Sequence, residues 1–158
     1  MSAAASLGDP LVTGKLLSIG AAARRFDVST RTLRYYQEIG LLDPSGASPG
    51  GNRRYSEEDL ARVGRILELR NVMGFDLDRI RDILDAEDRL QHLRREVRAG
   101  VSKKRRVEIL REATDINTRL QNQVAEKAAI LAGFAAELRA TRARYDGLAD
   151  ELGIELPR

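Results

Sequence analysis

Residues 18–42 read SIGAAARRFDVSTRTLRYYQEIGLL, and the organisation of the chain follows from them. Ile19, Ala22, Ala23 and Phe26 recur at i, i+3, i+4 and i+7, which makes one apolar stripe on a first helix. Asp27-Val28-Ser29 interrupts that period. Ser29 is a good N-cap for a second helix, roughly Thr30 to Ile39, and Gly40 stands where a helix C′ residue is expected. Two short helices joined by so brief a turn form a helix-turn-helix. Val28, Leu33 and Ile39 are expected to face the core. Ser29, Thr30, Arg31 and Arg34 then project from the exposed side, where short hydroxyls and guanidinium groups at a helix N-terminus reach phosphate and base edges. Tyr35 and Tyr36 are expected to lay a ring on the scaffold and a hydroxyl on a DNA backbone.

Working outward, Leu41 and Leu42 lead into DPSGASPGGNRRY (43–55). That composition cannot be helical, and it predicts a turn-rich loop between two short extended pieces. The loop ends in Arg53-Arg54-Tyr55, directly after a basic helix-turn-helix, which is the pattern of a wing carrying arginine to a neighbouring phosphate or minor groove. Ser56 is expected to cap a third helix, with Glu57, Glu58 and Asp59 opposite the positive end of its dipole. Leu60, Val63, Leu67 and Met73 are expected to form its buried side, and Gly74 to end it. Asp76 is placed to cap a fourth, short helix carrying Leu77, Ile80 and Leu84.

The run from Ser18 to about Leu84 resembles the DNA-binding domain of MerR-family transcriptional regulators. Ser18-Ile19-Gly20, the segment Val28 to Leu42, Gly50 to Leu60 and Met73-Gly74-Phe75 carry the resemblance, in the family's order. The family's wing has Gly-Tyr-Arg before its last tyrosine, and Asn52 stands here at the tyrosine position. The resemblance implies that Thr30, Arg31 and Arg34 contact the major groove or adjacent backbone, and that Tyr35, Tyr36, Arg53 and Tyr55 contact mainly backbone. It also implies double-stranded promoter DNA as partner, bound at a pseudo-palindrome. RNA polymerase would then be controlled by bending and untwisting of the DNA.

Beyond Asp85 a helical pattern runs to about Ala99 and breaks at Gly100, and Ser102 is a reasonable cap for a last, long helix. From Leu110 a spacing of alternating three and four persists through Ala113, Asn117, Leu120, Val124, Lys127, Leu131, Phe134, Leu138, Thr141, Tyr145, Leu148 and Leu152. So long a 3.5-residue repeat predicts a coiled coil. A single narrow stripe on a long helix needs a partner helix, and a homodimer is the economical source. Leu110, Ala113, Leu120, Val124, Leu131, Phe134 and Leu138 are its expected contact residues. A break near Gly133, folding the helix back on itself, is the other reading of the same stripe. The family resemblance implies that the two subunits pair antiparallel.

The expected fold is therefore mainly α. A disordered tail (1–15) precedes a winged helix-turn-helix (16–85), a connecting helix and break (86–101), a coiled-coil dimerisation helix (102–152) and a short tail (153–158).

Composition narrows the function. Of 158 residues, 42% are apolar and 32% charged, too apolar for a disordered chain. There is no cysteine, which excludes disulfides, thiolate metal sites and cysteine nucleophiles. The one histidine, His92, sits among Gln91, Leu93, Arg94 and Arg95 and reads as an ordinary exposed residue. No apolar run reaches the roughly 18 residues of a membrane span, and no secretory signal opens the chain, so a cytoplasmic location is expected. No cofactor, metal site or catalytic constellation is expected, and the residues identify no small-molecule effector. The basic stretch from Arg94 to Arg106 reads either as a solvated face or as a surface for DNA backbone or a partner's acids. Two other classes fit parts of the pattern: an architectural DNA-bending protein, and a coiled-coil adaptor whose basic head meets an acidic protein.

Overall fold

The computed structural model describes residues 16–48 and 50–157, and the expected tail 1–15 lies outside them. The chain divides into two compact units between Leu84 and Asp85. The first opens with β1 (Leu17–Ser18), α1 (Ile19–Arg25) and α2 (Thr30–Glu38). It continues through β2 (Gly46–Ala47), β3 (Arg53–Tyr55) and α3 (Glu57–Leu67) into a π-helical segment (Glu68–Val72). α4 (Leu77–Ala99) crosses from the first unit into the second, and α5 (Lys103–Leu152) completes the chain.

Local chemistry sets each boundary in the first unit. Ser18 accepts from the Ala21 N–H to cap α1, and Ser29 accepts from the Thr32 N–H to cap α2. Between the helices Asp27 takes φ 52°, a left-handed conformation that aspartate tolerates better than most residues. Gly40 ends α2 at φ 74°. The three strands form one antiparallel sheet in the order β1-β3-β2, with Leu17 opposite Tyr55 and Ala47 opposite Arg53. The β2–β3 hairpin is the predicted wing. Gly51 turns its tip at φ 77°, and Ser48 and Asn52 bond across it.

The core of this unit gathers Ala22, Ala23, Leu33, Tyr36, Tyr55, Leu60, Val63 and Ile66. Phe26 lies against α3 at Gly64, where an added Cβ would stand 3.3 Å from its ring. The expected inner side of α3 needs correction. Ile66 and Leu69 are buried, Leu67 is half-buried and Met73 is exposed. For Met73 the cause is the π-helical segment, in which its N–H reaches back five residues to the Glu68 carbonyl. This wider turn rotates the residues after it out of the 3.6-residue phase. Gly74 then turns the chain at φ 67°, and Asp76 accepts from the Arg79 N–H at the start of α4.

In the second unit, α4 beyond Asp85 and the first turns of α5 form an antiparallel hairpin. Gly100 at φ 94° makes the bend, and Ser102 caps α5 by accepting from the Arg105 N–H. Leu93, Ile109 and Ile116 are buried together, flanked by Leu90, Val97, Ala113 and Leu120. Two arginine–carboxylate forks brace the hairpin, Arg89 with Glu112 and Arg105 with Glu96. The Arg89 and Arg105 hydrogen bonds hold the two glutamates below the usual carboxylate range. α5 is continuous through Gly133, so the fold-back at that position does not occur. Its 50 residues span about 75 Å.

Candidate nucleic-acid interface

α2 sorts its side chains by the helical period. Leu33 and Tyr36 lie on its inner face, whereas Arg31, Arg34 and Tyr35 share the outer one. The Ser29 hydroxyl is engaged twice, by the Thr32 N–H and by the Thr32 hydroxyl at 2.9 Å. Thr30, the first helical residue, is half-buried. Arg31 and Arg34 extend from this end of the helix without an ion pair among the described residues.

The wing supplies the opposite wall. Arg34 and Gln37 of α2 line a cleft of about 540 Å3 together with Asn52, Arg53 and Arg54. No carboxylate lines it among the described residues. Three arginines line it and none of its described lining residues is acidic, which suits an anion, since a guanidinium's planar fork matches phosphate oxygens two at a time. Arg53 does pair with Asp43 at 3.2 Å, but both side chains are well exposed. Such a pair holds weakly and yields readily to a phosphate. Neither Gln37 nor Asn52 is among the contact residues expected from the sequence. The signal for Gln37 was its place one turn after Arg34; for Asn52, its place at the wing position where the family carries tyrosine.

Two of the expected contact residues belong to the interior. Tyr36 is 0% exposed and its hydroxyl accepts from Arg70 Nη1 at 3.0 Å. Tyr55 is also 0% exposed, and Gln37 Nε2 donates to its hydroxyl. Burial pushes the Tyr55 phenol above its ordinary value, although Arg53 and Arg34 pull the other way. The reason is spacing. Tyr36 stands three residues after the buried Leu33, and Tyr55 ends the central strand where it turns into α3. Tyr35, 45% exposed, is the tyrosine left on the outer face. Of the expected contact residues, Ser29, Thr30, Arg31, Arg34, Tyr35, Arg53 and Arg54 keep exposed or half-buried positions.

Asp59 locks the base of the wing to the start of α3. Its carboxylate accepts from the Ser56 N–H at 2.7 Å and the Ser56 hydroxyl at 2.9 Å, completing a capping box. It also accepts from the Ser45 N–H at 3.2 Å and the Ser45 hydroxyl at 2.8 Å, just before β2. Burial alone would raise its pKa, but the hydrogen bonds from Ser56 and Ser45 outweigh that and leave it below the usual carboxylate value. Across the head, Arg25 at the end of α1 forks onto Glu57 at the start of α3.

The expected dimer residues fall into two groups. Ala113 and Leu120 pack inside the α4–α5 hairpin. Leu110, Val124, Leu131, Phe134 and Leu138 are each more than half exposed. Ile109 and Ile116, absent from the expected stripe, are the residues that α5 buries against α4.

The chain is similar to known proteins in sequence and in fold. The family described as MerR HTH family regulatory protein matches residues 17–87. The HTH-type transcriptional activator TipA of Streptomyces coelicolor is 47% identical over 81 residues, which is 50% of this chain and 32% of TipA. The chain therefore spans about a third of that relative's length. The HTH-type transcriptional regulator YfmP of Bacillus subtilis is 25% identical over 130 residues, 82% of this chain and 93% of YfmP. Among solved structures, a MerR-family transcriptional regulator from Bacillus cereus superposes with a TM-score of 0.52 at 22% identity, covering 90% of this chain and 87% of that one. That last likeness is one of fold.

Proposed function

Residues 17–87 of this chain belong to the MerR family of helix-turn-helix regulatory proteins, and from that premise we propose how the chain works. It is a transcription regulator that binds a pseudo-palindromic promoter operator as a homodimer. α2 enters the major groove with Arg31 and Arg34, and the wing sets Arg53 and Arg54 on the flanking backbone. Bending and untwisting of the operator then control access of RNA polymerase, with much of the affinity carried by phosphate contacts. The cleft of Arg34, Arg53 and Arg54, unopposed by any carboxylate among its described lining residues, carries this reading. The exposed apolar stripe of α5 supports the dimer.

Footprinting on the chain's own upstream promoter region, at near-physiological salt with competitor DNA, tests the proposal. The expected result is a protected pseudo-palindrome between promoter elements, with enhanced cleavage at its centre. Diffuse, salt-sensitive binding there, together with no preferred site in genome-wide selection, would sink it in favour of an architectural or adaptor protein.

A further inference from the structure

Gln37 stands one turn after Arg34 on α2 and lines the same cleft as Arg34, Arg53 and Arg54. A glutamine with a free amide on a helix in the major groove can pair with the edge of adenine. The amide of Gln37 is engaged elsewhere. Its Nε2 donates to the hydroxyl of Tyr55, and among the described residues this is the one side-chain hydrogen bond between α2 and the β2–β3 hairpin.

The acceptor makes that bond a fixed point. Tyr55 is wholly buried, so its ring cannot shift without disturbing the core around it. It ends β3, the central strand, directly after Arg53 and Arg54. α1 lies against both α2 and β3, and the Gln37–Tyr55 bond joins those two elements to each other. The tie has something to resist. Arg34, Arg53 and Arg54 line one cleft with no acidic residue among its described lining, and like charges so gathered repel until an anion arrives. A neutral amide holds the helix to the strand without cancelling the charge that attracts phosphate.

We propose that Gln37 is a positioning residue for DNA binding. Through Tyr55 it holds Arg53 and Arg54 of the wing at the spacing from Arg34 that lets all three meet one stretch of DNA, and it reads no base itself. The inference rests on the DNA-binding reading above and adds the residue that couples the wing to α2.

The test uses the full chain and the duplex that footprinting of the unmodified protein identifies. Gln37→Leu removes the donor, and Tyr55→Phe keeps the buried ring and removes the acceptor. Each is expected to weaken binding about tenfold and to reduce the slope of log K against log salt by roughly one to two, as the wing's phosphate contacts are lost. If both act through the one bond, Gln37→Leu with Tyr55→Phe weakens binding no more than either alone. Thermal melting identifies the temperature at which every variant is folded, and binding is compared there. Selection from randomised duplexes is expected to return the same preferred bases for Gln37→Leu as for the unmodified protein. Loss of preference at one base pair means that Gln37 reads that base, and overturns the proposal. Additive losses in the double variant, or a Gln37→Leu protein with unchanged affinity and salt slope, overturn it as well. Unmodified protein that selects no preferred duplex defeats the DNA-binding reading itself, before any variant is made.

Discussion

Asp59 is heavily engaged, with four hydrogen-bond contacts to Ser45 and Ser56 and 8% exposure. Its folded-state pKa lies below the unfolded one, so its stabilisation is present above about pH 4 and is lost as pH falls through the folded-state value. Asp59→Asn is expected to cost about 1–3 kcal/mol near neutral pH and to flatten the acid limb of the stability curve. Urea titrations of both proteins from pH 7 to 3 measure this; parallel curves would show the carboxylate contributes nothing. The arginines and tyrosines separate cleanly at this scale. Arg34→Ala is expected to weaken operator binding and to reduce the slope of log K against log salt by roughly one. Tyr36→Phe is expected to leave DNA affinity unchanged while lowering stability by about 1 kcal/mol, since it removes the acceptor of Arg70. A Tyr36→Phe protein of normal stability but weakened DNA binding would return that hydroxyl to the interface.

Among the elements, the capped helices were the most legible in the sequence because their signals are local. Ser18, Ser29, Ser56 and Ser102 each accept the backbone N–H three residues on. The π-helical segment was not legible, since no propensity distinguishes a five-residue closure from a four-residue one, and so Met73 fell outside the expected core. The wing was legible as a glycine-rich loop, but its tolerance depends on packing. A Cβ at Gly46 would stand 3.1 Å from Arg54 Cβ and 3.2 Å from the Arg54 carbonyl oxygen. Gly46→Val is therefore expected to force β2 from β3 and cost about 1–3 kcal/mol. It should also weaken DNA binding, because Arg53 and Arg54 lie on the strand it disturbs. Thermal melts and binding isotherms of one preparation test both, and unchanged melting would mean the hairpin yields without strain.

For the whole molecule, the decisive quantity is the apolar surface left on α5. Phe134 is 58% exposed on a stretch of helix that the other described residues leave bare, and soluble proteins seldom present such a stripe to water. Phe134→Asp is expected to shift the protein to monomer by sedimentation. With it, operator affinity should fall on the order of a hundredfold or more, because two linked heads bind a pseudo-palindrome with an advantage one head lacks. A monomer that keeps full affinity would mean a single head suffices. Within the basic segment 94–106, Arg105 is held by Glu96, whereas Arg94 and Arg98 line a groove of the α4–α5 hairpin.

The sequence by itself determined the order of the main helices, the caps that start them, the glycine-rich hairpin, the basic outer face of α2 and the long last helix with its apolar stripe. These depend on spacing and on interactions within a few residues. Only the tertiary structure decided which tyrosine faces outward, that Gln37 and Asn52 join the arginine cleft, and which isoleucines of α5 face α4. Those outcomes follow from which surfaces pack together. A phenol or an isoleucine suits a core and an interface equally well, and burial is settled by neighbours distant in the chain.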